Sequence, residues 1–118
     1  MIDILNILGQ IIFGGYFIYS GLNHFIHNKD YASYASSMKV PMPTFSVFFT
    51  GLLMLLGGIG ILLNFYVDIA IVLLLIFLIP TTFIMHPFWS APNIAEKAAQ
   101  KIQFLKNFAL IGALLLLF

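Results

Sequence analysis

Apolar residues run along this chain in long, unbroken stretches, with no alternation of period two and no narrow helical stripe to mark a half-buried element. Four such runs cover residues 4–25, 44–64, 67–86 and 102–118. The first three hold about 20 residues each, which at ~1.5 Å per residue matches a hydrocarbon core of roughly 30 Å. Irregular backbone facing lipid leaves N–H and C=O groups unpaired, so runs of this length predict helices, and the alternation of a membrane barrel is missing. The expected fold is all-α: an integral membrane bundle of four transmembrane helices, forming a single domain over 1–118.

The connections have distinct characters. Ile26 to Pro43 collects His27, Asn28, Lys29, Asp30, three serines and Lys39, then closes with Val40-Pro41-Met42-Pro43. This reads as a loop, with room for a short interfacial helix. Asn64-Phe65-Tyr66-Val67-Asp68 is the whole turn between the second and third runs, which forces a tight antiparallel hairpin. Pro87, Pro92 and the polar stretch 93–103 separate the third run from the fourth. Pro80 lies inside the third helix and is expected to bend it, with Thr81 and Thr82 available to the freed carbonyls.

Composition sharpens this picture. The chain is 62% hydrophobic and 8% charged, too little polar surface for a water-soluble domain of this length. Net charge is +1, which gives no reason to expect a nucleic acid partner. The distribution of charge says more. Lys29, Lys39, Lys97, Lys101 and Lys106 all flank the two longer loops, while Asp3 and Asp68 mark the other side. The positive-inside rule then predicts a multi-pass protein of the plasma (inner) membrane with both termini outside the cytoplasm. The N-terminal stretch has no basic n-region, and is expected to be a permanent helix rather than a signal peptide. The chain has no cysteine, so thiol exchange and thiolate metal ligation on its own residues are excluded.

Glycines gather at 14, 15 and 21 in the first helix and at 51, 57, 58 and 60 in the second. Small residues let helix backbones approach, and packing inside one bundle is preferred here over a dimer motif. Ala109, Gly112 and Ala113 offer a similar face in the fourth helix. A homo-oligomer stays open.

Polar side chains near the hydrocarbon call for a reason, and they cluster at the cytoplasmic ends of the first, third and fourth helices: Asn23, His24, His86, Gln103, Lys106 and Asn107. Tyr16, Ser20 and Asn23, four and then three residues apart, share a helical face expected to look into the bundle. Together with Trp89, these residues offer two readings. In the first, His24, His86, Lys106 and Asn107 donate hydrogen bonds to the carbonyls of a lipophilic ligand such as a quinone, with aromatic rings beside it. In the second, His24, His86 and Trp89 are interfacial anchors, Lys106 snorkels to the headgroups and the asparagines cap backbone. His24 and His27 lack a convergent third ligand, so no metal site is expected. The two interfacial histidines are poorly placed for deep haem burial. No Ser-His-acid arrangement supports hydrolysis, and no intramembrane acid supports proton-coupled transport.

The blocks Gly21-Leu-Asn-His-Phe25, Val40-Pro-Met-Pro43, Gly51 through Gly60, Phe77 through Trp89 and Lys106-Asn-Phe-Ala-Leu110 resemble the DoxX family of small membrane proteins, in order and across nearly the whole chain. The resemblance implies a four-helix plasma-membrane protein. Some relatives are subunits of a thiosulfate:quinone oxidoreductase, and others are linked to oxidative, quinone or thiol stress. It directs interest to Asn23, His24, Phe25, Pro80, His86, Trp89, Lys106 and Asn107; it leaves the cofactor unassigned, with a quinone as the candidate, and an oxidoreductase subunit as the candidate partner. Many relatives carry a basic residue early in the first helix, where this chain has Gln10. The alternative function is a non-enzymatic scaffold or assembly subunit of a larger complex.

Overall fold

The computed structural model describes residues 2–118, and no strand occurs among them. Five α-helices follow in order: α1 (Ile2–Ile26), α2 (Asn28–Ser37), α3 (Pro43–Leu63), α4 (Val67–Met85) and α5 (Ile94–Leu117), with a 3₁₀ turn at Phe88–Ser90. Four of them, all but α2, are long and apolar enough to cross a membrane. The protein is therefore a multi-pass, all-α transmembrane bundle. Large apolar side chains such as Ile12, Leu63 and Leu116 point away from the bundle, as a lipid solvent demands.

The helix boundaries have local causes. α3 starts with Pro43 in its first turn, where a missing N–H costs nothing. It stops at Asn64, whose left-handed conformation lets the Phe65 N–H reach the Gly60 carbonyl at 2.9 Å. Three residues later α4 begins, so α3 and α4 form the tight hairpin that the short turn requires. The segment 28–37 is helical, and it buries Ala32 and Ala35 against Val47, with Val40 and Met85 beside them. α5 begins at Ile94, eight residues before the apolar run expected from 102, because Asn93 caps it by accepting the Glu96 N–H at 2.8 Å. Its first turns are polar and helical at once. Pro80 stands inside α4, and the fully buried Thr82 hydroxyl donates to the Leu78 carbonyl at 2.6 Å. That carbonyl is not the one freed by Pro80, which is four residues before it, at Ile76.

The core runs down the middle of the bundle, with Phe17, Ile71, Leu74 and Leu114 wholly inaccessible. α1 packs on α3, α3 on α4 and α4 on α5, whereas α1 and α5 meet through side chains alone. The α1–α3 contact is made by glycines. A Cβ on Gly14 would lie 2.8 Å from the Gly58 carbonyl oxygen, and one on Gly58 would lie 2.9 Å from that of Gly14. Seven residues further along α1, a Cβ on Gly21 would lie 2.9 Å from the Gly51 carbonyl oxygen. Two antiparallel backbones thus touch at two levels, and only the absence of a side chain permits it. Gly57 and Gly60 turn to α4 in the same manner, meeting Leu74 and Ala70. These glycines serve packing within one chain, while Gly15 and Gly112 meet nothing within 4 Å.

Candidate functional site

The glycine seam places the first functional side chain. A Cβ on Gly51 would come within 2.6 Å of the His24 Cβ, so His24 sits directly over a backbone with no side chain of its own. From there its Nδ1 lies 3.1 Å from both the Val47 carbonyl oxygen and the Thr50 Oγ1. The ring meets Tyr31 and Phe77 edge-on, with centroids 5.2 and 5.9 Å away. Val47 offers only an acceptor, and the Thr50 hydroxyl already donates to the Ser46 carbonyl at 2.8 Å. The proton therefore sits on Nδ1, and in the neutral ring Nε2 carries the lone pair.

His86 caps the end of α4 and is fixed from α5. Its Nδ1 lies 2.8 Å from the Gln100 Oε1, the Gln100 Nε2 donates to the Tyr34 hydroxyl at 2.8 Å, and Tyr34 donates to the Met85 carbonyl. The chain of donors has one direction when His86 also carries its proton on Nδ1. Gln100, half-buried and on the same polar turns as the expected Gln103, is the residue that reaches His86. Sequence reasoning placed those turns outside the helix and so missed it. The Asn93-x-x-Glu96 capping pattern was the signal that α5 starts early enough to bring Gln100 round to His86.

A cavity of about 690 Å³ opens between these elements in the half of the bundle that carries the lysine-bearing loops. Tyr16, Ser20, Asn23, His24, His86, Lys106 and Asn107 all line it, with α2 forming one wall. The rest of the lining is chiefly apolar, including Phe17, Met54, Phe77 and Leu78. Lys106 lies twelve residues into α5, roughly 18 Å along it, well past the first turns. Its Nζ donates to the Tyr16 hydroxyl at 3.3 Å and stands 5.8 Å from that ring's centroid, so it bridges α5 to α1 instead of leading outward to headgroups. Tyr16, Pro80 and Lys106 line the cavity and are exposed on the outside of the bundle, which puts its mouth in the lateral wall.

Trp89 lies apart from this group. It is 55% exposed and packs edge-on against Phe88 of the same 3₁₀ turn and Phe104 of α5, away from the cavity lining. His27 is exposed and lies tilted against Tyr31, and among the described residues no three of His, Asp or Glu converge as metal ligands would.

Asn107 is the most informative member. It is only 6% exposed, yet its side-chain amide has no hydrogen-bond partner among the described residues. Among the described residues no buried side-chain N or O atom goes unpaired, so the amide atoms of this lining residue keep accessible surface. The same reasoning applies to Nε2 of His24 and of His86.

The protein is thus a transmembrane four-helix bundle with a polar-studded, largely apolar cavity that opens on its flank. By sequence, the chain belongs to the DoxX family, whose model matches residues 6–87. No curated protein and no solved structure matches it.

Proposed function

We propose that this DoxX protein binds a lipophilic aromatic redox molecule of the quinone–quinol class in the cavity of its lysine-rich half, as the membrane component of a redox or stress-response system. The observation that carries this reading is Asn107, a nearly buried amide without a side-chain hydrogen-bond partner among the described residues, in the lining of a largely apolar cavity of ring-accommodating size. Amides this deep in a fold are as a rule paired, and a polar group of a bound ligand would complete this one. His24, His86 and Lys106 surround the same space, and the lateral mouth suits a ligand that arrives from the bilayer. α5 belongs to this working unit although the family match ends before it, since it supplies Lys106, Asn107 and the core residue Leu114.

By the positive-inside rule, this reading puts the lysine-bearing end at the cytoplasmic face of the plasma membrane, with both termini outside the cytoplasm. Electron transfer to or from a bound ligand calls for a partner subunit. A scaffold or assembly role is the competing reading, and it has little glycine surface to use, because these faces are largely consumed by α1–α3 and α3–α4 packing.

The test is a calorimetric titration of the detergent-purified protein with a short-tailed quinone and its quinol, on the native chain and on His86→Ala. Binding of either form, weakened about tenfold in a variant that keeps its unfolding temperature, supports the reading. Absence of binding by both forms sinks it, and a stoichiometric co-purifying protein with an empty cavity would favour the scaffold.

A further inference from the structure

We infer that the cavity selects the reduced, hydroxyl-bearing form of its ligand, a dihydroxy aromatic whose O–H groups donate to Nε2 of His24 and of His86. This rests on the cavity being a quinone–quinol site.

Both imidazoles are committed on their Nδ1 side. His24 faces two acceptors there, the Val47 carbonyl at 3.1 Å and a Thr50 oxygen whose own hydrogen goes to Ser46. His86 faces the Gln100 Oε1, at the head of a chain that passes through Tyr34 to the Met85 carbonyl. Each Nδ1 therefore donates, and none of these partners is a carboxylate that would favour the imidazolium. In the neutral rings each Nε2 is a pure acceptor, without a partner among the described residues and with accessible surface on a ring that lines the cavity.

The two redox forms of a quinone differ in what they offer such a site. A quinone oxygen brings only lone pairs, which Lys106 Nζ or the Asn107 amide N–H can satisfy but which are repelled by an Nε2 lone pair. A quinol hydroxyl accepts from the same lysine or amide while its hydrogen goes to an imidazole. Only the reduced form can pair both imidazole acceptors while it also accepts from the lysine or the amide, and an acceptor left unpaired in a largely apolar cavity weakens binding. The site's preference is thus written into tautomers fixed from outside the cavity, by α3 for His24 and by α5 for His86.

The experiment needs no mutation. Under anaerobic conditions, the purified full chain is titrated calorimetrically with a short-tailed hydroquinone, with the matching quinone and with the O,O-dimethyl ether of the hydroquinone. The ether keeps the ring and loses both O–H donors. The expected result is that the hydroquinone binds about tenfold or more tighter than the quinone, and that the ether binds no better than the quinone. Equal or tighter binding of the quinone overturns this inference and leaves the cavity reading intact, as does an ether that matches the hydroquinone. No binding by any of the three overturns the cavity reading itself.

Discussion

Helix α1 has two neighbours that could hardly be treated more differently. Toward α3 it presents Gly14 and Gly21, and the two backbones meet with no side chain between them. Toward α5 it presents Tyr16, Phe17 and Ser20, and the helices stay apart around a cavity bridged by one lysine–tyrosine hydrogen bond. In lipid, helix association gains little from burying apolar surface, so close contact depends on shape. A bundle that needs an internal space can therefore make one seam as tight as backbone allows and leave the opposite one loose. The tight seam also builds the loose one, because Gly51 is where His24 rests.

The sharpest way to break this contrast is to put a large side chain into the closed seam. Gly58→Leu places carbon where the Gly14 carbonyl and the Ile18 amide already stand within 2.9 Å. Neither is a flexible group that can turn aside. We expect separation of α1 from α3, a loss of at least about 1–3 kcal/mol of stability and little monodisperse protein after detergent extraction. Size-exclusion profiles and thermal unfolding check this, and a variant that extracts and melts like the native chain would show that the seam is not what holds the bundle.

Gly51→Ala comes next, since its single added carbon would lie 2.6 Å from the His24 Cβ. Here the two regions are tested together. The expected outcome is a smaller fall in unfolding temperature accompanied by loss of ligand binding, as His24 is pushed off Val47 and Thr50. Lost stability with native affinity would mean that the seam and the site are independent.

Much of the closed side was legible in the sequence, and less of the open one. Unbroken apolar runs define membrane helices whatever their neighbours are, and the glycines of the first two spans announce close packing before their partners are known. The inward face of Tyr16, Ser20 and Asn23 follows from spacing alone. α5 is the instructive exception. Hydropathy hid its first two turns, since Glu96, Lys97 and Lys101 look like loop, while Asn93 and Glu96 form the cap that starts it. Misplacing that start put Lys106 near an interface instead of half-way along the helix, and it concealed Gln100. The direction of the histidine hydrogen bonds was out of reach for another reason: it is set by Val47, Thr50 and Gln100, which are remote in sequence.

On the open side, Lys106→Met keeps the side chain's length and removes its charge and its bond to Tyr16. The residue is exposed, so folding should be untouched to within about 0.5 kcal/mol. Ligand affinity should fall about tenfold, as expected for one lost charged donor. Undiminished binding would remove Lys106 from the site and leave Asn107 and the histidines to carry it.

The smallest expected effect comes from adjacent residues on α1. Gly14→Ala adds a methyl group 2.8 Å from the Gly58 carbonyl oxygen, whereas Gly15→Ala adds the same group where nothing lies within 4 Å. Helix propensity favours alanine at both positions by up to about 1 kcal/mol, so any difference between the two variants reports the seam alone. Gly15→Ala should leave the unfolding temperature unchanged or raise it slightly, and Gly14→Ala should lower it. If Gly15→Ala proved to be the damaging one, that face of α1 would be covered by something outside the single chain, and a second copy of the protein would become the first candidate to examine by cross-linking.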